Sequence, residues 1–144
     1  MREDQGQAAV AIGERSAPEG PTLLLVDDDA PLRRSLQRAM ERRGFIVYTA
    51  GTIQGSISMA RSIRPEYAVI DLRLEDGIGL ELVHRLRELH APVRILILTG
   101  YGNIPIVVAA VKAGAVDCLA KPVDADEVIN ALLSSTLRTP EARP

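Results

Sequence analysis

Ala68-Val69-Ile70-Asp71-Leu72 is a short apolar run that ends in one carboxylate. Such a run reads as a buried strand, and Asp71 then stands at its C-terminal edge. Two more apolar runs end the same way. Leu23-Leu24-Leu25-Val26 leads into Asp27-Asp28-Asp29, and Ile95-Leu96-Ile97-Leu98 leads into Thr99-Gly100. A fourth, Val116 to Ala120, leads into Lys121-Pro122. Carboxylates, a hydroxyl and an ammonium therefore close four strand candidates. In a parallel sheet all of those ends point the same way.

The intervening sequence supplies helices. Asp29-Ala30-Pro31 opens the first, which carries Leu32, Leu36, Ala39 and Met40 on one stripe and stops at Gly44. Phe45 to Thr49 is the second strand. Thr52 to Ile63 is the second helix, with Ile53, Ile57 and Ala60 inward and Arg64-Pro65 ending it. Tyr67 to Leu72 is the third strand, Glu75-Asp76-Gly77 a turn, and Gly79 to His90 the third helix, with Leu82, Leu86 and Leu89 on one face. Val93 to Leu98 is the fourth strand. Asn103 caps a fourth helix with Pro105 in its first turn and Lys112-Ala113-Gly114 at its end. After Val116 to Ala120, Asp124 and Glu127 form a capping pair for a fifth helix that buries Val128, Ala131 and Leu132. Five strand-then-helix units predict an α/β fold with a doubly wound parallel sheet and right-handed crossovers. Ligands of such sheets bind at the carboxyl ends of the strands, near the point where strand order reverses.

Composition agrees. The chain has 144 residues, enough for one domain with a sizeable core. Hydrophobic residues make up 47% and aromatics only 3%, so the core is aliphatic. A net charge of −2 lacks the basic footprint of a nucleic-acid binder. The single cysteine, Cys118, permits no intrachain disulfide. No run approaches the ~20 apolar residues of a membrane span. No apolar signal core follows Met1-Arg2-Glu3-Asp4-Gln5, so the expected location is cytoplasmic. Residues 1–20 read as a flexible leader, 21–136 as the domain, and 137–144, which include Pro140 and Pro144, as the start of a linker.

The chemistry follows from the clustering. Two carboxylates ~4 Å apart repel by roughly 4 kcal/mol at an effective dielectric near 20. Asp27, Asp28 and Asp71 therefore need a compensating cation, and Mg2+ suits, since it takes oxygen ligands and leaves positions open for a phosphoryl group. Phosphoryl transfer needs positioning and charge neutralisation more than covalent chemistry. Asp71 suits the nucleophile, Lys121 a point charge on one phosphoryl oxygen, and Thr99 a hydroxyl donor to another. Taken singly, each residue also reads as a cap, a turn or a solvated loop. It is their joint occurrence on one sheet edge that favours a site.

The ordered set Asp27-Asp28, Asp71, Thr99 and Lys121-Pro122, on five strand–helix units, resembles the receiver domain of bacterial response regulators over residues 22 to about 136. Val69 to Gly77 and Leu98 to Gly102 are most similar to the RegA/PrrA/ActR group of redox-linked transcriptional regulators. The resemblance implies a CheY/flavodoxin-like sheet of order 2-1-3-4-5 with five helices. It implies a signalling switch, not an enzyme, in which Asp71 accepts a phosphoryl group from a sensor histidine kinase. Asp28, Asp71 and the Arg73 carbonyl hold Mg2+, with Asp27 acting directly or through water. Thr99 and Lys121 bind the phosphoryl oxygens, and Lys121-Pro122 is cis.

Two departures stand out. Cys118 occupies the position where the family usually has a switch aromatic, and it also reads as a small buried hydrophobe. Regulators of this group carry a helix-turn-helix output domain after the receiver, and the expectation here is a chain without it: either a stand-alone receiver or, as the linker-like Leu137 to Pro144 favours, a truncated one. The apolar fourth helix (Ile104, Ile106, Val107, Val108, Ala110, Val111) suggests a homodimer through helix four, strand five and helix five. Arg33, Arg34, Arg38, Arg42 and Arg43 read as a solvated face or part of a kinase-docking patch. The rival reading is a haloacid dehalogenase-type phosphatase with Asp27 as nucleophile, but 144 residues leave no room for its cap domain. A degenerate receiver that is never phosphorylated is disfavoured by the intact acidic set.

Overall fold

The computed structural model describes residues 20–100, 108–109, 111–112 and 114–138. Five parallel strands form the main sheet: β1 (Thr22–Val26), β2 (Ile46–Ala50), β3 (Tyr67–Asp71), β4 (Arg94–Thr99) and β5 (Ala115–Ala120), in the order β2-β1-β3-β4-β5. Helices α1 (Ala30–Arg42), α2 (Ile53–Ile63) and α3 (Gly79–Leu89) and a C-terminal helix (Ala125–Arg138) cover it. The expected fourth helix falls mostly outside the described residues, although Val108, Ala109, Val111 and Lys112 are helical.

Strand periodicity decides which layer each residue joins. Leu23, Leu25, Val69, Leu96 and Leu98 face α1 and the C-terminal helix, packing on Leu36, Met40, Val128 and Leu132. Leu24, Val26, Ala68, Ile70, Ile95 and Ile97 face α2 and α3, packing on Ile53, Ile57, Leu82 and Leu86. These central strands are buried on both faces, which is why they read as unbroken apolar runs. A fully buried Leu or Ile contributes about 1.5–3 kcal/mol over its exposed form.

Local sequence sets the helix ends. Asp29 caps α1 by accepting from Leu32 N at 3.1 Å, and Gly44, at φ +96°, ends it. Asp124 and Glu127 exchange side-chain-to-backbone hydrogen bonds of 2.9 and 3.0 Å, a reciprocal capping box. The N-terminus of α2 has two caps. Thr52 Oγ1 accepts from Gly55 N at 3.0 Å, and Asp76, 23 residues downstream of Ile53, accepts from Ile53 N at 2.8 Å and Gln54 N at 3.1 Å. The turn expected at Glu75-Asp76-Gly77 is flanked by a two-residue antiparallel pair, Arg73–Leu74 with Gly77–Ile78, that period-two patterning does not reveal.

Register brings the strand ends together. Val26 pairs with Ile70, so Asp27 and Asp71 follow at the same level on adjacent strands. Asp71 pairs with Leu98, and Thr99 with Ala120, so Thr99 and Lys121 each follow one step on. Strand order reverses between β1 and β3, and Asp27 and Asp71 lie at that boundary.

Candidate functional site

The three consecutive carboxylates after β1 point to three different tasks. Asp29 caps α1. Asp28 is exposed. Asp27 turns inward and has no solvent exposure. Its backbone N donates to Ala50 O at 3.1 Å, its Oδ1 accepts from Asp29 N at 2.9 Å, and its Oδ2 lies 2.9 Å from Lys121 Nζ. Asp71 Oδ2 lies 3.3 Å from the same ammonium, and the Arg73 backbone N–H donates to the Asp71 carboxylate. Lys121 thus bridges β1 and β3 from the end of β5. Its own backbone N donates to Thr99 O at 2.7 Å, and its bond to Pro122 is cis. Thr99 is buried, with 6% of its surface exposed.

The charges are not balanced by this one cation. Asp27, Asp28 and Asp71 each offer an oxygen, and the three lie within 4.8 Å of one another. Burial raises the Asp71 carboxyl above its ordinary range, and the Asp27 charge adds to that; Lys121 and the Arg73 N–H pull the other way. Burial works against the charge on Lys121, but its hydrogen bonds and charge pairing with Asp27 and Asp71 outweigh it and raise its pKa. Asp27 Oδ2 is fully buried and faces the Lys121 ammonium at 2.9 Å, a cation it shares with Asp71. Three carboxylates that each turn an oxygen to one point, with a single ammonium shared between two of them, fit a hard divalent cation.

The structure therefore gathers Asp27, Asp28, Asp71, Thr99 and Lys121 at one edge, with Arg73 beside Asp71. Cys118 is set apart. It pairs with Ile97 and packs, half-buried, against the α2/α3 layer. Burial raises its thiol pKa, and the Asp117 charge adds to that, opposite to what a reactive thiolate needs.

Two contributors were not legible in the sequence. Arg33 reads as one of five arginines on a solvated face, yet it is half-buried and its Nη1 donates to the Asp27 carbonyl at 2.5 Å. Gly79 reads as a plain helix start. A Cβ there would overlap the Asp71 carbonyl oxygen and stand 2.9 Å from Ile70 Cγ2, so only glycine lets α3 begin this close to the end of β3. Its N donates to Leu72 O at 2.6 Å.

A family model described as the response regulator receiver domain matches residues 23–133. The chain belongs to that family. It is 54% identical over 126 residues to the photosynthetic apparatus regulatory protein RegA of Rhodovulum sulfidophilum, covering 88% of this chain and 69% of that protein. It is 50% identical over 112 residues to the acid tolerance regulatory protein ActR of Rhizobium meliloti, covering 78% and 58%. Among solved structures, a response regulator from Burkholderia pseudomallei, crystallised with a phosphorylated aspartic acid, a calcium ion and citrate, superposes with a TM-score of 0.77. It shares 34% identity, covering 85% of this chain and 73% of that one. A CheY-like receiver from Methanospirillum hungatei, at 25% identity and a TM-score of 0.77, is matched over its full length, with 88% of this chain covered. The chain spans about 60% of the length of most of the RegA and ActR proteins it matches, 58% to 61%.

The chain is thus a receiver domain of the two-component response regulators, a signalling domain. The family match sets aside the phosphatase reading, and so does the burial of Asp27, whose carboxylate has no free approach for a substrate. No helix among the described residues is long and apolar enough to cross a membrane.

Proposed function

We propose that Asp71 is the phosphoacceptor of this receiver. One observation carries the assignment. Of the two carboxylates that Lys121 bridges, Asp27 is sealed and Asp71 keeps 7% exposure at the open end of β3, with Lys121 Nζ at 3.3 Å. The phosphorylated aspartic acid and calcium ion of the Burkholderia relative support it. In the step, an Asp71 carboxylate oxygen attacks the phosphorus of a phosphohistidine on a sensor histidine kinase. A P–O bond forms, the P–N bond breaks, and the leaving imidazole takes a proton from solvent.

Asp27, Asp28, Asp71 and the Arg73 carbonyl would hold Mg2+, which when bound supplies positive charge against the transferring phosphoryl oxygens. Lys121 neutralises a second oxygen and Thr99 donates its hydroxyl to a third. The domain promotes its own phosphorylation and slow dephosphorylation. Phosphorylation adds about −1.5 to −2 charge and strong acceptors at one edge of the sheet. Cys118 stands at the switch-aromatic position, so the readout rests on Thr99 and Lys121.

The domain spans residues 21–136, flanked by a leader and the start of a linker, and works in the cytoplasm with its kinase. The family match over 23–133 supports those bounds. Its output is control of transcription through a DNA-binding domain beyond the receiver; the regulatory names of RegA and ActR support this. Exposed Val108, Val111 and Leu133 support a homodimer through the fourth helix, β5 and the C-terminal helix.

The test is incubation with acetyl phosphate and Mg2+ followed by intact mass measurement. One phosphoryl adduct is expected, lost in Asp71→Asn. No adduct on the wild-type chain, or an adduct that survives in Asp71→Asn, overturns the assignment.

A further inference from the structure

We propose that Asp76 is a positioning residue for the metal and acceptor site, acting through the loop that it pins to α2. This rests on the metal-site reading above. The segment from Arg73 to Ile78 joins the end of β3 to α3. At its base, Gly79 N donates to Leu72 O at 2.6 Å, and Gly79 lies against the Asp71 carbonyl. At its tip, Asp76 accepts from Ile53 N at 2.8 Å and Gln54 N at 3.1 Å. Between those two anchors lies Arg73, whose N–H holds the Asp71 carboxylate.

The clasp is strong for an exposed contact. A carboxylate takes two backbone donors at the positive end of a helix, which is its favoured position. The Ile53 N–H bond, followed by the Gln54 one, lowers the Asp76 pKa, so the clasp is ionised at neutral pH. The loop also has little slack behind it. Gly77 sits at φ +154°, and a Cβ there would stand 2.7 Å from Ile53 Cδ1. Asp76 and Gly77 thus both press the loop onto the same residue of α2. Loss of the clasp frees the tip, and the Arg73 N–H and carbonyl move with it.

An ordinary helix cap is the competing explanation, and the structure supplies its control. Thr52 caps the same helix end through Gly55 N at 3.0 Å but does not hold the loop. Wild type, Asp76→Ala, Asp76→Asn and Thr52→Ala are titrated with Mg2+ by calorimetry, and each is melted without metal. Outer-shell residues that orient ligands typically change metal affinity by 10–100-fold. Asp76→Ala is expected to weaken Mg2+ binding about tenfold, at the low end of that range, and Asp76→Asn, which keeps an acceptor, to recover most of it. Thr52→Ala is expected to melt lower with unchanged Mg2+ affinity. If Asp76→Ala binds Mg2+ like the wild type, or if Thr52→Ala weakens it equally, Asp76 is only a cap and the proposal fails alone. If wild type itself shows no saturable Mg2+ binding, the metal-site reading fails and takes this proposal with it.

Discussion

The Lys121 ammonium lies 2.9 Å from the Asp27 carboxylate, a group with no exposure to solvent. Removing one partner of a buried pair leaves the other charge uncompensated, which costs about 3–5 kcal/mol. Lys121→Met should therefore destabilise the metal-free domain by about 3 kcal/mol, at the low end because Asp28 beside it is open to water. Mg2+ should restore part of that loss, since a ligand that binds only the native state stabilises it. Urea unfolding with and without Mg2+ reads both effects. A variant as stable as wild type without metal contradicts the ion-pair account.

Asp71→Asn should have the opposite sign. The native carboxyl titrates above its ordinary 3.8, because of burial first and the Asp27 charge second. Between 3.8 and that raised value the native state holds more protons than the unfolded state, so stability falls as pH rises through the window. Above the window, ionised Asp71 is a standing cost. Asn removes it, and the metal-free variant should melt higher than the wild type at pH 7. The gain should shrink as the pH is lowered toward 3.8. Melting curves across pH 4 to 7 that show no gain, or a gain that grows in acid, contradict the assignment.

Gly79→Ala tests how closely α3 is seated against the acceptor strand. The added methyl would overlap the Asp71 carbonyl oxygen and press on Ile70 Cγ2 at 2.9 Å. Backbone on one side and a buried Ile on the other leave it no room, and overpacking of this kind costs about 1–3 kcal/mol. The end of β3 must shift, so the rate of adduct formation from acetyl phosphate should fall together with stability. Wild-type phosphorylation kinetics in a destabilised variant would separate the two and refute the link.

The sequence carried the sheet because each central strand is buried on both faces, leaving an unbroken apolar signal at Leu23 to Val26 and Ile95 to Leu98. It carried the clustering of Asp27, Asp71, Thr99 and Lys121 because parallel strands must present their C-terminal ends together. Other features depend on partners far apart in the chain. No local pattern tells Asp27 from Asp28, although one is sealed and the other exposed; the Asp27 carboxylate meets Lys121, which follows β5 nearly a hundred residues downstream. Asp76 reads as a turn residue because its partners, Ile53 and Gln54, lie more than twenty residues upstream. Arg33 looks like its neighbours Arg34 and Arg38 until the fold brings the Asp27 carbonyl under it. The fourth helix, read from Asn103 to Gly114, lies largely outside the described residues.

Cys118 decides between an inert core thiol and a redox sensor. Its sulfur packs against the α2/α3 layer, and burial first, then the Asp117 charge, raises its pKa above 9.0. Only the thiolate is nucleophilic, so at pH 7.5 iodoacetamide should alkylate Cys118 at least about tenfold more slowly than a free cysteine peptide. The rate should keep rising through pH 9, because a raised pKa moves the titration upward. Cys118→Ser should leave the acetyl phosphate reaction unchanged, since the thiol packs away from the carboxylates. Alkylation near neutral pH as fast as the peptide's would instead reveal a stabilised thiolate and refute the inert reading.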